Sequence, residues 1–173
     1  MVARGVQPGQ FLHLLAPRTQ GLLLPVVPVS GFDRVAGTIT TLVASRPGSV
    51  AGLAALREGD AARFSGPLGR GFVIDPRSRY LLVIADVLSF GRVRAVVDEA
   101  VASGRQVTVL LGARSVAEVY PSSLLPDEAE YAVATVDGSL GHRGEVTELV
   151  TEYEAWADQC FAAGSSSLVA RLA

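Results

Sequence analysis

Cysteine is almost missing from this chain of 173 residues; the single one is Cys160. One thiol cannot close an internal disulfide, and alone it cannot hold a zinc ion or an iron–sulfur cluster. Charge is scarce too. Only 18% of the residues are Asp, Glu, Lys or Arg, against about a quarter in ordinary soluble domains. The net charge is −2 and no basic block occurs, so the electrostatic footprint of a nucleic-acid binder is missing. Long apolar runs are also missing. "LLLPVVPV" (22–29) and "YLLVIADVL" (80–88) are each interrupted by Pro or Asp and fall well short of the roughly 18 residues that read as a membrane span. The opening "MVARGVQPGQ" lacks the apolar stretch of a secretory leader. The expectation is a cytoplasmic protein with neither membrane nor nucleic acid as partner.

What is present is apolar: 49% of the residues are hydrophobic and the mean hydropathy is +0.36. Buried strands, together with an apolar surface that meets a partner, account for this balance.

The chain divides near residue 76, and the expected domains are 1–75 and 76–173. The first part reads as β. "FLHLLAP" (11–17) alternates loosely, and "LLLPVVPVS" carries Pro25 and Pro28, which confine it to an edge or irregular strand. "AGTITTLVAS" (36–45) is rich in β-branched residues and reads as a strand. "SVAGLAALREGD" (49–60) predicts a short helix capped by Ser49 and stopped by Gly59. "AARFSG" (61–66) reads as a last short strand. It runs into "GPLGRGF" (66–72), a tight turn of three glycines and a proline.

The second part alternates strand and helix. "RYLLVIAD" (79–86), "QVTVLLGA" (106–113), "YAVATVD" (131–137) and "QCFAAG" (159–164) read as buried strands. "GRVRAVVDEAVASG" (91–104), "EVTELVTEYEAWA" (145–157) and "SSSLVARLA" (165–173) read as helices, and "SVAEVYPSSLL" as a short helix cut by Pro121. This order demands parallel strands.

Four stretches together resemble the ferredoxin–NADP reductase-like superfamily, and within it the electron-transfer subunits of dihydroorotate dehydrogenase. They are "PGQFLHL" (8–14), "LREGDAARFSGPLGRGF" (56–72), "GRQVTVLLGARS" (104–115) and "VATVDGSLGHRGEVTELV" (133–150). The last is the most specific, because Asp137, Gly138, Ser139, Gly141, Gly144 and Thr147 all agree with the family pattern. The resemblance implies a flavin-binding-type β-barrel domain followed by a Rossmann-like α/β domain. It further implies FAD between the two, a nicotinamide nucleotide at the strand ends, an iron–sulfur cluster on a later Cys-rich loop, and a dehydrogenase catalytic subunit as partner. In such a component the cofactors carry the chemistry and the protein positions and tunes them. The positions implied for cofactor contact are Pro25, Gly48, Ser49, Gly66, Pro67, Leu68, Gly69, Asp137, Gly138, Ser139 and Gly164.

Several positions depart from the pattern. The flavin motif R-P-x-S is here Leu24-Pro25-Val26-Val27, without the cation and without the hydroxyl. An unneutralised phosphate beside apolar side chains is costly, so FAD is expected to be lost during purification. "PGS" (47–49) offers backbone amides at a helix start as the remaining phosphate contact. The glycine-rich turn after the first α/β strand is replaced by "VIADVLSFGRVRA" (83–95), with Asp86 where an anion should approach and Gly91 as the only glycine. NAD(P)H binding is expected to be weak for that reason. The fourth strand keeps Gly164 but has Ala163 in place of the family cysteine, and no cluster-binding loop follows, so no Fe–S cluster is expected in this chain. Only seven residues precede Pro8. The barrel is then expected to be truncated and to expose strand edges, which favours a homodimer or a heteromeric partner through the β domain.

Each feature has a plainer reading as well. "GPLGRGF" is a connector whether or not it touches a cofactor. Asp137-Gly138-Ser139 serves either as a loop capping the helix at 145 or as a nucleotide contact. Ser165 to Ser167 read as a helix cap and Cys160 as an inert core residue. His13 and His142 lack partners at metal-ligand spacing. Glu148, Glu152 and Glu154 follow a solvated helix face. Two functions remain open: a flavoprotein electron-transfer component, and a reductase-fold scaffold or regulatory subunit without cofactors.

Overall fold

The computed structural model describes residues 2–15, 25–43, 53 and 55–173. In its first part, β1 (Phe11–Leu15) is the centre of a three-stranded sheet between β2 (Val26–Pro28) and β5 (Arg63–Leu68), antiparallel to both. Proline lacks the amide that a central strand must donate, and β2, with Pro28 in it, lies at the sheet edge. A separate hairpin joins β3 (Gly31–Asp33) to β4 (Thr38–Thr40). Asp33 closes its turn by accepting from the amides of Val35 and Ala36, at 2.7 and 2.9 Å. Leu12, Val27, Val29 and Val6 form the buried core of this barrel-like part. Of the strand expected over 36–45, residues 44–45 lie outside the described residues, and among the described ones only Thr38–Thr40 finds a partner strand. Of the helix expected over 49–60, residues 49–52 and 54 lie outside the described residues; Leu53 is helical, whereas 55–60 form turns and irregular backbone.

The second part is a Rossmann-like α/β unit. β6 (Tyr80–Asp86), β7 (Gln106–Ala113), β8 (Glu130–Thr135), β9 (His142–Arg143) and β10 (Gln159–Ala163) make an all-parallel sheet in the order β10-β6-β7-β8-β9. Alternation along β6 explains why its apolar run is continuous. Leu81, Val83 and Ala85 face helix α1 (Phe90–Ala102), with Phe90, Val93, Val96 and Val97. Leu82 and Ile84 face the other way, toward Val146 and Leu149 of α2 (Val146–Tyr153) and Leu168 of α3 (Ser166–Leu172). A strand covered on both sides can spare no polar position, and each fully buried Leu or Ile contributes roughly 1.5–3 kcal/mol.

Two expectations here need correction. The segment "SVAEVYPSSLL" is not a helix. It makes two one-turn 3-10 segments, Val116–Glu118 and Ser122–Leu124, because Pro121 takes an extended conformation between them. The parallel sheet has a fifth strand, β9, too short to show any period in sequence.

The two parts are held together by polar and close-packed contacts that the sequence does not announce. The Ser30 hydroxyl, fully buried, donates to the Gly91 carbonyl at 2.9 Å and accepts from the Leu42 amide at 2.8 Å. Arg94, one turn into α1, donates to the carbonyls of Ser30 and Leu124 and pairs with Asp98. Gly91 has no room for a side chain: a Cβ would stand 2.6 Å from the Leu42 carbonyl oxygen and 3.0 Å from Pro28 Cγ. Gly91, the only glycine in the stretch that replaces the family's nucleotide turn, is therefore the point where α1 meets the β part. "GPLGRGF" adds a further link, since Phe72 meets Phe161 of β10 edge-to-face with ring centroids 5.3 Å apart.

Candidate functional site

In open parallel sheets ligands bind beyond the carboxyl ends of the strands. Here those ends, from β6, β7 and β10, open into a cleft of about 930 Å³, within the range of small-molecule sites. Its walls are mostly apolar, and its charged groups are already matched. Arg114, just past β7, forms a forked contact with Glu118 at 2.9 and 2.5 Å. That guanidinium holds the Glu118 carboxyl below its ordinary range. Arg171 of α3 pairs with Glu145 at the start of α2. The Arg114–Glu118 spacing of four residues was a legible signal in the sequence, although the segment is not α-helical.

Asp86 ends β6, and its carboxylate points across the sheet end. Oδ1 accepts from the Ser89 amide at 2.8 Å, at the start of α1, and Oδ2 accepts from the Ser165 amide at 2.9 Å, at the start of α3. Gly164 lies against it, where a Cβ would stand 3.2 Å from Asp86 Oδ2. Ser165 itself caps α3, its hydroxyl accepting from the Leu168 amide at 3.3 Å, as the serine run suggests.

The Asp137-Gly138-Ser139 loop follows β8 at the same end of the sheet. Asp137 Oδ1 accepts from the Ser139 amide and hydroxyl at 2.9 and 2.6 Å, and these bonds lower the Asp137 pKa. Ser139 Oγ in turn accepts from the Val116 amide at 2.8 Å, which ties the loop to the first 3-10 turn. This corrects the expectation that the loop caps the helix at 145. That helix has its own capping box, in which Glu145 and Glu148 exchange side-chain and backbone bonds. Glu148 is also not merely solvated: its carboxylate lies 3.0 Å from His142 Nε2, and its pKa is lowered chiefly by that bond. His142 therefore has an acidic partner that sequence spacing did not reveal. Gly141 turns the loop back under β8 at φ +68°, where a Cβ would meet the Val133 carbonyl oxygen at 2.0 Å.

Flavin-side positions lie in the β part. Gly48, Ser49 and Leu24 fall outside the described residues. Pro25 is buried, and Val27, at the hydroxyl position of the motif, is a core residue with no exposed surface. The segment expected as a tight turn begins as strand: Gly66, Pro67 and Leu68 are the end of β5, paired with β1, with the Leu12 side chain against Gly66 and the Phe11 ring against Gly69, which follows the strand. Gln10 Nε2 donates to the Gly69 carbonyl at 3.2 Å. One polar atom there is left over. His13 Nδ1 is buried without a hydrogen-bond partner among the described residues, beside the Phe11 ring and paired across the sheet with Val26 and Ser65. Buried polar atoms are ordinarily satisfied, so an orphan next to the Pro25–Val27 strand fits a ligand that brings a polar group to that face.

Cys160 is not a core residue. It lies on edge strand β10 and is exposed; its apolar neighbours Phe161 and Ala163 point inward instead. Sequence reasoning missed Tyr131, whose hydroxyl donates to the Tyr120 carbonyl at 2.9 Å and whose pKa burial pushes up to about 12. Among the described residues no three His, Cys, Asp or Glu side chains stand together as a metal-ligand set, and no helix is long and apolar enough to cross a membrane.

No family model matches the chain. Curated proteins do. The chain is 28% identical over 167 residues to the dihydroorotate dehydrogenase B (NAD(+)) electron transfer subunit of Listeria monocytogenes serovar 1/2a, covering 95% of this chain and 66% of that one. It is 32% identical over 157 residues to the protein of the same name from Desulforamulus reducens, covering 90% and 60%. The chain thus spans somewhat under two thirds of the length of these relatives. Among solved structures, an NADH-dependent reduced ferredoxin–NADP oxidoreductase superposes with a TM-score of 0.81 at 21% identity, over 96% of this chain and 60% of that one. A Neisseria gonorrhoeae ferredoxin NADP+ reductase with bound FAD and NADP superposes with a TM-score of 0.69 at 14% identity, over 98% and 78%. At these identities the superpositions establish the fold, a ferredoxin reductase-like pairing of a β part with a Rossmann-like part.

Proposed function

This chain has the ferredoxin reductase-like fold and is a sequence relative of dihydroorotate dehydrogenase B electron transfer subunits, and on that premise we propose that it is a flavoprotein electron-transfer component serving a dehydrogenase catalytic subunit. The observation that carries the reading is the similarity over nine tenths or more of the chain to subunits of that name. In this reading residues 1–75 are the flavin-binding-type domain and 76–173 the nucleotide-binding-type domain, and the protein works in the cytoplasm. FAD, when bound, supplies the electron-carrying chemistry.

The chain's own residues then have limited tasks. Phe11 and Leu12 of β1 fix the Gly66–Leu68 end of β5 and Gly69 after it, and Pro25 sets the neighbouring edge strand. Among the described residues of the β part, His13 offers the one unsatisfied buried polar side-chain atom. Val27 supplies no hydroxyl, so we read the flavin as exchangeable rather than permanently held. The edge of β2 that no strand among the described residues covers, where Val26 is 57% exposed, is where we place contact with a second copy or with the catalytic subunit.

A second reading, a reductase-fold scaffold without cofactors, is favoured by one observation: the Asp86 carboxylate holds the amides at the nucleotide end of the sheet. Electron delivery separates the two. The chain, with excess FAD, is mixed with the dihydroorotate dehydrogenase catalytic subunit of its own organism, and dihydroorotate is added. Flavin absorbance should bleach several-fold faster with the chain than without it. Equal rates would favour the scaffold.

A further inference from the structure

Helix N-termini and the turns that lead into them present unpaired amides, and such amides bind phosphate and carboxylate alike. At the ends of β6 and β10 two amides converge, from Ser165 before α3 and from Ser89 before α1, the latter shared with the Asp86 backbone carbonyl at 3.0 Å. They converge on a group of the protein itself, the Asp86 carboxylate, at 2.8 and 2.9 Å. Charge-assisted bonds of this kind are roughly twice as strong as neutral ones. The rest of the cleft does not restore attraction for an anion. Its two arginines, Arg114 and Arg171, are held by Glu118 and Glu145, so three carboxylates face two guanidiniums among its described lining residues. The close approach of Gly164 completes the arrangement, because any side chain there would crowd Asp86 Oδ2 and Leu168 Cδ2.

We infer that Asp86 is an internal anion that occupies the phosphate position of this cleft, so that the site rejects pyrophosphate-bearing nucleotides and Asp86 sets its specificity. The residues at this end do not fit a dinucleotide docked by its pyrophosphate. The cleft as built suits a neutral ligand: its apolar walls remain available, whereas both amide donors are taken. This inference concerns the nucleotide end of the proposed electron-transfer reading and stands whether or not the β part carries flavin.

The test uses the full chain with ADP and with NADH, followed by calorimetry and by the amide resonances of Ser89 and Ser165 in the NMR spectrum. For the native chain the expected Kd is weaker than about 1 mM for both ligands, and neither amide resonance moves with ADP. Asp86→Asn removes the charge, and Asp86→Gly removes the whole side chain, which frees the Ser165 amide and leaves the Ser89 amide its bond to the carbonyl of residue 86. Each should tighten ADP and NADH at least about tenfold, a change worth about 1.4 kcal/mol, with the Ser89 and Ser165 resonances now shifting on titration. Micromolar binding of either ligand by the native chain overturns the inference. So does equal binding, tight or absent, across native chain and folded variants. Should both variants fail to fold, the native amide resonances decide: both shifting with ADP would show that Asp86 does not hold the position. FAD titrations of the same samples are read separately, because loss of FAD binding bears on the flavoprotein reading and not on this one.

Discussion

Gly91→Ala is expected to destabilise the chain by about 2–4 kcal/mol, the range for forcing a methyl into a site that cannot relax. The new Cβ would stand 2.6 Å from the Leu42 carbonyl oxygen and 3.0 Å from both Pro28 Cγ and Ser30 Oγ. A long side chain could swing away; a backbone carbonyl and a proline ring cannot. Helix α1 would have to lift from the β part, and the lift would break the Ser30 hydroxyl bond to the Gly91 carbonyl and strain the Arg94 bonds to Ser30 and Leu124. For a chain of this size the loss corresponds to a Tm drop of roughly 4–16 °C. Calorimetry of the purified variant checks it. A Tm within about a degree of the native value would show that the two parts do not meet as described.

Gly141→Ala should have an effect of similar or larger size, about 3 kcal/mol or more, for two additive reasons. Its backbone sits at φ +68°, a region that side chains disfavour, and the Cβ would lie 2.0 Å from the Val133 carbonyl oxygen, which is an impossible contact. The loop between β8 and β9 cannot keep its course. Leu140 would lose both bonds to the Thr135 hydroxyl, and Ser139 would lose its hold on the Val116 amide. Hydrogen exchange gives the local readout. Amides of 136–144 and of Val116 should lose protection before the core strands β6 and β7 do. Unchanged protection in that loop would contradict the assigned role.

Much of the fold was legible because its signals are periodic. The strands β6, β7 and β10 are continuous apolar runs, and α1 carries Val93, Val96, Val97 and Ala100 at helical spacing, so pattern alone places them within a residue or two. β9 was not legible, since a two-residue strand has no period. The Val116–Leu124 segment misled because its apolar spacing is helical while Pro121 and the short span prevent an α-helix. The site was legible only in part. The loop residues Asp137 to Gly144 stood out through their resemblance to the family segment, and the structure gives Asp137, Ser139 and Gly141 a local reason. Gly91 stood out only as the single glycine where the family has its nucleotide turn; its reason lies 49 residues away at Leu42, and a contact of that kind leaves no trace in local pattern. The same holds for Ser30 and Arg94. Cys160 misled because apolar flanks suggest burial, whereas on an edge strand alternate residues face outward.

The measurement that bears most directly on the flavoprotein account is an FAD titration of the purified chain, read by quenching of flavin fluorescence and by equilibrium dialysis. The account predicts one FAD per chain with a Kd on the order of 10–100 μM, no flavin retained after desalting, and at least about tenfold weaker binding for His13→Leu, which removes the unsatisfied imidazole nitrogen beside the Pro25 strand. No saturable quenching at any attainable FAD concentration would contradict it, and would leave the chain as a reductase-fold scaffold.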